Sequence, residues 1–444
     1  GNKGDYIFLV DEAHNLVDRS REMYSAQLYK EDMLAVKRIM KPHHYMIAKT
    51  LDKCNKAMLE FKRECETYEV QESVGVLTFH LMRLASQLEE FFEKPREFPE
   101  KKEVRDFYFE VRNFLNMYEL VDEHYVIYTQ MEEDGRFMIK LFCVDPSLNL
   151  QKCIDKANAT IFFSATLLPI NYYKQILSTK EDNYAIYAES TFAENQRLLA
   201  FAPDVSTKYT RRGPVEYLRI AQYIQAAVEG KKGNYMVFFP SYKMMQDVYA
   251  IFRNFVESEV PVDSGEERQD REDGKDRKDG KNSKNTMLEI CMQTSNMQEQ
   301  EREQFLQMFE QEREGSLVAF CVMGGIFSEG IDLKNDKLIG AIIVGTGLPQ
   351  ISNERQILKD YYDERGLSGF DYAFRYPGIN KVLQAAGRVI RTQEDRGIIL
   401  LLDERFLQAD YAPLFPREWK ERKVCNLKQI KEEVEKFWKE VEQE

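Results

Sequence analysis

The stretch YIFLVDEAHNLVD, from Tyr6 to Asp18, places an apolar run directly before an acidic tetrapeptide. The apolar residues within 5–10 are consecutive rather than alternating, which is typical of a strand buried on both faces of a parallel sheet. The sequence therefore predicts a buried strand that ends at Asp11 and Glu12. Adjacent carboxylates at a strand end can hold a magnesium ion and orient a water molecule. The alternative interpretation is a polar turn that caps a helix.

The composition indicates packed cores beneath a charged surface. The 444 residues suit two or three domains, and 43% of them are apolar. No apolar run approaches the ~20 residues needed to cross a bilayer, so no membrane partner is expected. The net charge of −13 argues against coating of nucleic acid by overall attraction. A local basic groove needs only a few cations and stays compatible with that charge.

The cysteines indicate a reducing compartment. The seven cysteines are scattered and form neither a disulfide pattern nor a CxxC pair. Reduced thiols in a cytoplasmic protein are therefore expected. Cys291 and Cys321 lie within apolar runs and are predicted to be core residues. We expect no metal cluster within this chain.

From residue 20 to about residue 122 the pattern changes to long amphipathic segments. Their apolar residues recur three and four positions apart, as in helices with one buried face. Two strand-like runs then flank Asp134-Gly135, a pair typical of a β-hairpin turn. The sequence therefore predicts a mostly helical insertion over residues 20–150 that is closed by the hairpin.

The rest of the chain predicts a parallel α/β sheet. Residues 159–163 (ATIFF) form a second short buried strand that runs into Ser164-Ala165-Thr166. From about residue 199 onward, strand-like and helical segments alternate, which favours one parallel sheet with helices on both faces. Residues 263–285 contain eight acidic residues, seven basic residues and no aliphatic or aromatic residue. A flexible surface loop is predicted there, and the cancelling charges argue against a nucleic-acid-binding tail.

The segment QAAGRVIR, from Gln384 to Arg391, predicts a helix with two arginines on one face. Arg388 and Arg391 are three residues apart, and Gln384 lies one turn before Arg388. Two guanidinium groups on one face can bind phosphate oxygens and stabilise charge on a transferring phosphoryl group. A solvated basic face is the alternative, and Gly387 argues against it because glycine costs ~1 kcal/mol inside a helix.

Two further strand ends carry weaker signals. The loop GGIFSEGIDL, from Gly324 to Leu333, allows a ligand to approach the backbone closely, although an ordinary strand-to-helix connection explains it as well. At the end of FFPSY, Ser241 and Tyr242 can hold a phosphate or stack on a base. Neither segment identifies a site alone.

In chain order, these segments resemble the motifs of superfamily 2 helicases, and specifically those of the XPD/DinG-like branch. The matching segments are VDEAHN for motif II, SAT for motif III, FFPSY for motif IV, FSEGIDL for motif V and QAAGRVIR for motif VI. The SATL sequence, the long helical insertion and KLFCVDPS before SAT favour the DinG side. The resemblance covers essentially the whole chain and implies RecA-like motor domains that close around ATP and magnesium.

The resemblance also implies a division into three parts. Residues 1–19 and 151–180 correspond to a remnant of the first RecA-like motor domain, residues 20–150 to an arch insertion, and residues 181–444 to the second motor domain. The parent protein is then an ATP-dependent DNA helicase that moves 5′ to 3′ on single-stranded or forked DNA. On physical grounds alone, a motor that acts on RNA is an open alternative.

Roles for individual residues follow from the same resemblance. The expected catalytic residues are Glu12, which activates water, and Gln384, Arg388 and Arg391, which close on the γ-phosphate. The expected nucleotide contacts are Asp11, which coordinates Mg²⁺, together with His14, Gly330 and Asp332. Ser164 and Thr166 are expected to couple the nucleotide state to domain movement. The residues expected near DNA are Ser241, Tyr242, Ser328 and Glu329.

The sequence departs from the family at one point, since it contains no GxxxxGK[ST] segment. Without that loop, no backbone nest cradles the phosphates and no lysine reaches them. In the family, this loop and the cysteines of an iron–sulfur cluster lie upstream of motif II. We therefore expect the chain to be the carboxyl-terminal part of a longer protein, with the missing amino-terminal part as its partner, and to be inactive alone. The alternative is a non-catalytic DNA-binding or scaffold module with a motor-like fold.

Overall fold

The computed structural model describes residues 4–94, 97–258, 288–327, 333 and 335–443. The chain divides into two compact units, one of residues 1–185 with 351–369 and the other of residues 186–350 with 370–444. The predicted charged loop at 263–285 lies outside the described residues. No helix in the described ranges is both long enough and apolar enough to cross a membrane.

The strands of the first unit are β1 (Ile7–Val10), β2 (Ala26–Tyr29), β3 (Tyr68–Gln71), β4 (Tyr125–Met131), β5 (Phe137–Cys143) and β6 (Ala159–Phe162). Those of the second unit are β7 (Arg197–Ala202), β8 (Asn234–Phe239), β9 (Leu288–Met292), β10 (Ser316–Val322), β11 (Gly340–Val344), β12 (Gly397–Leu402) and β13 (Lys423–Val424).

The α-helices up to residue 177 are α1 (Leu16–Met23), α2 (Lys30–His43), α3 (Tyr45–Glu64), α4 (Leu77–Glu93), α5 (Lys101–Tyr118), α6 (Ser147–Ile154) and α7 (Ile170–Leu177). The later helices are α8 (Pro214–Gly230), α9 (Tyr242–Ser258), α10 (Glu299–Gln307), α11 (Asn353–Glu364), α12 (Tyr376–Ala386) and α13 (Leu427–Val441). A π-helical turn at Asp371–Arg375 leads directly into α12.

In the first unit, β1 and β6 pair in parallel as a two-stranded sheet. Both strands were predicted to be buried, and this is wrong: Ile7 is 65% exposed, Leu9 is 66% exposed and Ile161 is 52% exposed. The apolar runs correctly indicate strands, but burial requires neighbouring strands and covering helices. A two-stranded sheet leaves most of that apolar surface accessible.

The predicted insertion forms a separate core within the first unit. Four antiparallel strands in the order β2-β5-β4-β3 pack with the apolar faces of α2, α3, α4 and α5. The hairpin predicted at Asp134-Gly135 is confirmed, because β4 and β5 pair across it and Gly135 has a φ of 83°. The insertion is therefore mainly helical, and two short strands add to the predicted hairpin.

Helix α11 packs with the first unit, although the chain around it belongs to the second unit. The Glu354 carboxylate near its first turn accepts hydrogen bonds from the Tyr128 hydroxyl (2.8 Å) and the Lys140 ammonium. Asn353 donates to the side chain of Gln130 at 2.9 Å. The division at residue 181 stays a prediction, and segment 351–369 is an excursion that the sequence did not indicate.

The second unit contains the predicted parallel sheet. Its seven strands follow the order β13-β7-β12-β11-β8-β10-β9, with parallel pairing throughout. Helices α8, α9 and α13 bury one face in a continuous apolar core. Helix α12, whose described side chains lie outside that core, packs against β11. The α/β class with helices on both faces is therefore confirmed.

Two thiols predicted to be core residues lie in this sheet. Cys321 on β10 is fully buried, which raises the pKa of its thiol far above the ordinary value. Cys291 on β9 is half-buried, and burial raises its pKa to about 12. Both thiols therefore stay protonated at neutral pH and behave as small apolar side chains.

Candidate functional site

The pairing of β1 with β6 brings two sequence motifs side by side. Val10 lies opposite Phe162, so both strands end at the same level. The Phe163 amide donates to the Val10 carbonyl at 3.0 Å, and the Ala13 amide donates to the Phe163 carbonyl at 3.2 Å. The turn that begins with Asp11 therefore lies next to Ser164.

Glu12 has a strained backbone. Its φ of 48° and ψ of 42° lie in the left-handed region, and it is the only non-glycine residue with positive φ among those described. Such a conformation costs on the order of 1–3 kcal/mol and is concentrated at functional sites. The Glu12 amide donates to the Asp11 carboxylate at 2.7 Å, which supports the turn. The strain holds an exposed carboxylate at the end of β1.

A short hydrogen-bond chain joins motif II to motif III. The Ser164 hydroxyl donates to the Glu12 carboxylate at 3.2 Å, and His14 Nδ1 lies 2.8 Å from the same hydroxyl oxygen. Since the hydroxyl proton is directed at Glu12, the protonated Nδ1 of His14 donates to Ser164. His14 also lies 3.3 Å from the Glu12 carboxylate and is buried. Glu12 is thus oriented by a buried imidazole and a hydroxyl.

Thr166 completes the cluster. Its amide donates to the Ser164 hydroxyl oxygen at 3.3 Å, and the two hydroxyl oxygens are 3.4 Å apart. Asp11 and Glu12 are both exposed. Exposed carboxylate oxygens are the ligands that Mg²⁺ prefers, so the donor set fits a magnesium ion that keeps several waters. The structure therefore brings together all the predicted site residues of the first unit.

In the second unit, Ser241 and Tyr242 follow β8 at the carboxyl end of the sheet. The Ser241 side chain accepts from the Met244 amide at 3.3 Å, in the first turn of α9. The Tyr242 ring packs partly against the core, and burial raises the pKa of its hydroxyl. That hydroxyl accepts a hydrogen bond from Gln293 Nε2 at 3.0 Å. Tyr242 is thus held by its neighbours.

Gln293 is a functional candidate that sequence reasoning missed. It is 2% exposed, directly follows β9, and accepts from the Val322 amide at 3.0 Å through its carbonyl oxygen. A Cβ on Gly325 would lie 3.1 Å from its amide nitrogen. One carboxamide therefore links Tyr242 to the start of the glycine loop. Its position directly after an apolar strand, at the carboxyl end of the parallel sheet, was the signal that could have found it.

The glycine loop after β10 is described only in part. Gly324 has a φ of 71°, and a Cβ there would lie 3.0 Å from the Lys381 side chain of α12. The loop therefore passes close to the helix that carries Gln384. The predicted residues Ser328, Glu329, Gly330 and Asp332 lie outside the described residues.

The prediction of two arginines on one helical face is wrong. Helix α12 ends at Ala386, and the amides of Arg388 and Val389 donate to carbonyls three residues back in a tightened last turn. Val389 then turns into the core, where it contacts Gly397 at the start of β12. The helix ends here because the chain turns so that the Val389 side chain is buried. Gly387 consequently caps the helix, where glycine does not carry the cost expected inside a helix.

The three motif VI residues therefore lie in different local structures. Gln384 is on the last turns of α12, Arg388 is in the turn that follows, and Arg391 lies in the exposed segment beyond it. Arg388 lines a small cavity together with Met236, Leu333 and Leu338. The Arg391 amide donates to the Asp395 carboxylate at 2.6 Å.

Within the second unit, the predicted residues fall at opposite ends of the parallel sheet. Ser241 and Tyr242 follow β8 and lie at the carboxyl end, as does the glycine loop after β10. Arg388 and Arg391 precede β12 and lie at the amino end. The structure thus separates Ser241 and Tyr242, which were predicted near DNA, from the two arginines predicted near phosphate.

The second unit matches a known protein family. Residues 224–422 match the family model described as helicase C-terminal domain. The chain is 22% identical over 507 residues to the ATP-dependent DNA helicase CHL1 of Scheffersomyces stipitis, with 98% of this chain and 56% of that protein covered. It is 23% identical over 315 residues to the regulator of telomere elongation helicase 1 homolog of Caenorhabditis elegans, with 66% and 29% covered. The chain spans about half the length of the CHL1 relatives that it matches.

Solved structures of XPD helicases share the fold. The structure of S. tokodaii Xpd4 superposes with a TM-score of 0.58 at 14% identity, covering 95% of this chain and 76% of that chain. A structure titled XPD_APO gives a TM-score of 0.53 at 17% identity, covering 95% and 77%. The chain thus shares the fold of these XPD structures. More specifically, the chain is similar to the carboxyl-terminal portion of XPD-like DNA helicases, as the sequence motifs indicated.

Proposed function

We propose that this chain is the carboxyl-terminal part of an ATP-dependent DNA helicase that couples ATP hydrolysis to strand separation. The observation that carries the proposal is the cluster of Glu12, His14 and Ser164 on a strained turn. Its geometry suits a carboxylate that orients and deprotonates an attacking water. The names of the relatives, which are ATP-dependent DNA helicases, support the same activity.

In the first unit, Asp11 holds Mg²⁺ and Glu12 activates the water. His14 orients Glu12 and meets the nucleotide, while Ser164 and Thr166 transmit the nucleotide state. The bound metal would neutralise charge on the phosphate oxygens. Because Ser164 contacts both His14 and Thr166, a shift at Glu12 reaches the segment after β6 directly.

In the second unit, Gln384, Arg388 and Arg391 act on the γ-phosphate, and Gly330 and Asp332 meet the nucleotide. Arginine guanidinium groups stabilise charge that develops on a transferring phosphoryl group. The residues proposed to contact single-stranded or forked DNA are Ser241, Tyr242, Ser328 and Glu329. Translocation from 5′ to 3′ is part of the proposal and rests on the motif resemblance.

The chain contains no GxxxxGK[ST] segment, so the phosphate-binding loop is proposed to come from an amino-terminal part of the same protein. An iron–sulfur cluster, if the parent has one, belongs to that part. We expect the chain alone to hydrolyse ATP no faster than the uncatalysed background, because nothing in it cradles the β- and γ-phosphates. A coupled assay of ATP turnover with purified chain and single-stranded DNA tests this expectation. Substantial turnover that disappears in Glu12→Gln would contradict the proposed need for an upstream loop.

The missing phosphate-binding segment also favours a second candidate, a non-catalytic DNA-binding or scaffold module. The source gene discriminates the two functions. A GxxxxGK[ST] segment encoded upstream supports the helicase, and its absence from the complete gene supports the module. The strained Glu12 argues for the helicase, since a scaffold has no use for a water-orienting acid.

A further inference from the structure

We infer that Asp395 and Gln196 are positioning residues for Arg391, because they fix the backbone from which its side chain extends. The inference rests on the proposed function in one respect, the assignment of Arg391 to the transferring phosphate. Neither residue belongs to a motif that the sequence singled out.

The need for such residues follows from the end of α12. Arg391 lies five residues beyond Ala386, the last residue of the helix. Helical hydrogen bonds therefore do not orient its backbone, and its side chain is exposed. A group that must stabilise charge in a transition state has to be held within about 0.5 Å of its working position. Other interactions must supply that order.

Asp395 supplies the first of these interactions. A single carboxylate oxygen, Oδ2, accepts from the amides of Arg391 and Thr392, both at 2.6 Å. Asp395 is 2% exposed. Hydrogen bonds to an ionised acceptor are short and about twice as strong as neutral ones, and burial strengthens them further. Two successive amides directed at one oxygen define the direction of the chain at Arg391.

Gln196 supplies the second interaction from a distant part of the sequence. Its Nε2 lies 3.2 Å from the Thr392 carbonyl and 3.0 Å from the carbonyls of Gln393 and Asp395. Its own carbonyl oxygen accepts from the Ala193 amide at 2.7 Å. Gln196 is 3% exposed, so this carboxamide provides a buried hydrogen-bond donor to the backbone carbonyls of the segment.

The sheet explains why these residues meet. Gln196 directly precedes β7, and the segment 391–396 directly precedes β12. The two strands are neighbours with Arg197 opposite Gly397. The Arg396 guanidinium donates to the carbonyls of Gln393 and Asp395, both at 3.0 Å, on the same segment. The segment after α12 is thus held against the amino ends of β7 and β12 in the seven-stranded sheet.

The test is a double-mutant cycle in the full-length protein that contains this chain. DNA-stimulated ATP turnover is measured for wild type, Asp395→Ala, Arg391→Ala and the double variant, per folded molecule. If Asp395 acts through Arg391, Asp395→Ala lowers kcat at least ~10-fold and leaves KM for ATP within about threefold of wild type. The double variant should then have the same kcat as Arg391→Ala.

Asp395→Asn, which keeps a hydrogen-bond acceptor, should restore most of the lost kcat. Gln196→Leu should lower kcat in the same way and provides a second variant if Asp395→Ala fails to fold.

Asp403→Ala is the matched control. Asp403 is a buried carboxylate at the opposite end of β12, where it accepts from the Thr207 amide at 3.0 Å and from Arg405. We expect the kcat of Asp403→Ala per folded molecule to stay within about twofold of wild type, because the full length of β12 separates Asp403 from the segment 391–396. An equal loss of kcat in Asp403→Ala and Asp395→Ala would overturn the inference. It would also be overturned if the kcat losses of Asp395→Ala and Arg391→Ala were multiplied in the variant that carries both changes.

A second measurement separates this inference from the proposed function. In the 444-residue chain, Asp395→Ala should raise the hydrogen-exchange rates of the Arg391 and Thr392 amides at least ~10-fold, and Asp395→Asn should raise them less. If the Arg391 and Thr392 amides exchange at the wild-type rate in Asp395→Ala, the positioning role is overturned, whatever the ATP turnover of that variant. Wild-type turnover in Arg391→Ala, combined with the expected exchange, would instead overturn only the proposed role of the arginine.

Discussion

Glu12 combines a strained backbone with an exposed carboxylate whose partners are Ser164 and His14. A glutamate in the left-handed region is stable only where surrounding contacts determine its conformation. Here the Asp11 side chain and the neighbouring strand β6 provide those contacts. At the scale of a single residue, the strained backbone of Glu12 lowers the stability of the turn, and the same backbone fixes the direction of the Glu12 carboxylate.

Glu12→Gly should therefore leave the first unit more stable than Glu12→Ala does. Glycine adopts positive φ without a Cβ penalty, whereas alanine keeps the strain. We expect the free energy of unfolding of Glu12→Gly to exceed that of Glu12→Ala by about 1 kcal/mol. Urea unfolding of the chain, followed by a probe in the first unit, measures the difference. Equal stabilities of the two variants would contradict the backbone strain assigned to position 12.

At the scale of elements, helix α12 is placed by a close backbone contact at its start. Gly378 lies against the loop after β11, and a Cβ there would come within 2.8 Å of the Thr346 carbonyl oxygen and 3.1 Å of the Gly347 carbonyl carbon. Both are backbone atoms, which cannot move aside as a flexible side chain does. This contact sets the distance between α12 and the sheet. It therefore also sets the position at which the segment with Arg388 and Arg391 begins.

Gly378→Ala should consequently destabilise the second unit by about 1–3 kcal/mol, the usual range for an added methyl group without space. Gly213 provides the matched control, since a Cβ there meets nothing within 4 Å and its φ of 165° is extended backbone. Gly213→Ala should be neutral or stabilise the unit by up to about 1 kcal/mol. Thermal unfolding of both variants measures the effect. A Gly378→Ala variant as stable as Gly213→Ala would contradict the close approach.

The elements also show what the sequence could and could not predict. The strands β7, β8, β10, β11 and β12 were predictable because each is a continuous apolar run, as burial on both faces requires. Short strands such as β2 and β3 have no comparable signal. The end of α12 was mispredicted because the burial of Val389 depends on tertiary packing. The exposure of β1 was mispredicted for the same reason.

The contacts of the candidate site likewise include some that the sequence could predict and others that it could not. The pairing of Glu12 with Ser164 was predictable, because polar residues that follow parallel strands meet at one edge of a sheet. Gln293 could have been found by the same rule. The contact of Gln196 with Gln393 was not predictable, since it depends on the register of β7 against β12. No local pattern in the sequence records that register. The contact of Asp395 with the Arg391 amide is local, but it depends on how the chain turns after α12.

At the scale of the whole molecule, the chain consists of two units, and segment 351–369 belongs to the first although it lies within the sequence of the second. The proposed function distributes the required groups over both units. Glu12 and Asp11 belong to the first, and Arg388 and Arg391 to the second. A motor with this distribution depends on every group at once, so the loss of any one should abolish turnover while the fold persists.

The most direct test is DNA-stimulated ATP turnover by the full-length protein in which Glu12 alone is changed. Glu12→Gln keeps the size of the side chain and removes its ability to take a proton, so turnover should fall by a factor on the order of 10³ while binding of single-stranded DNA is retained. Glu22→Gln, an exposed position on α1, is the control and should stay within about twofold of wild type. Turnover in Glu12→Gln equal to that of Glu22→Gln would contradict the account.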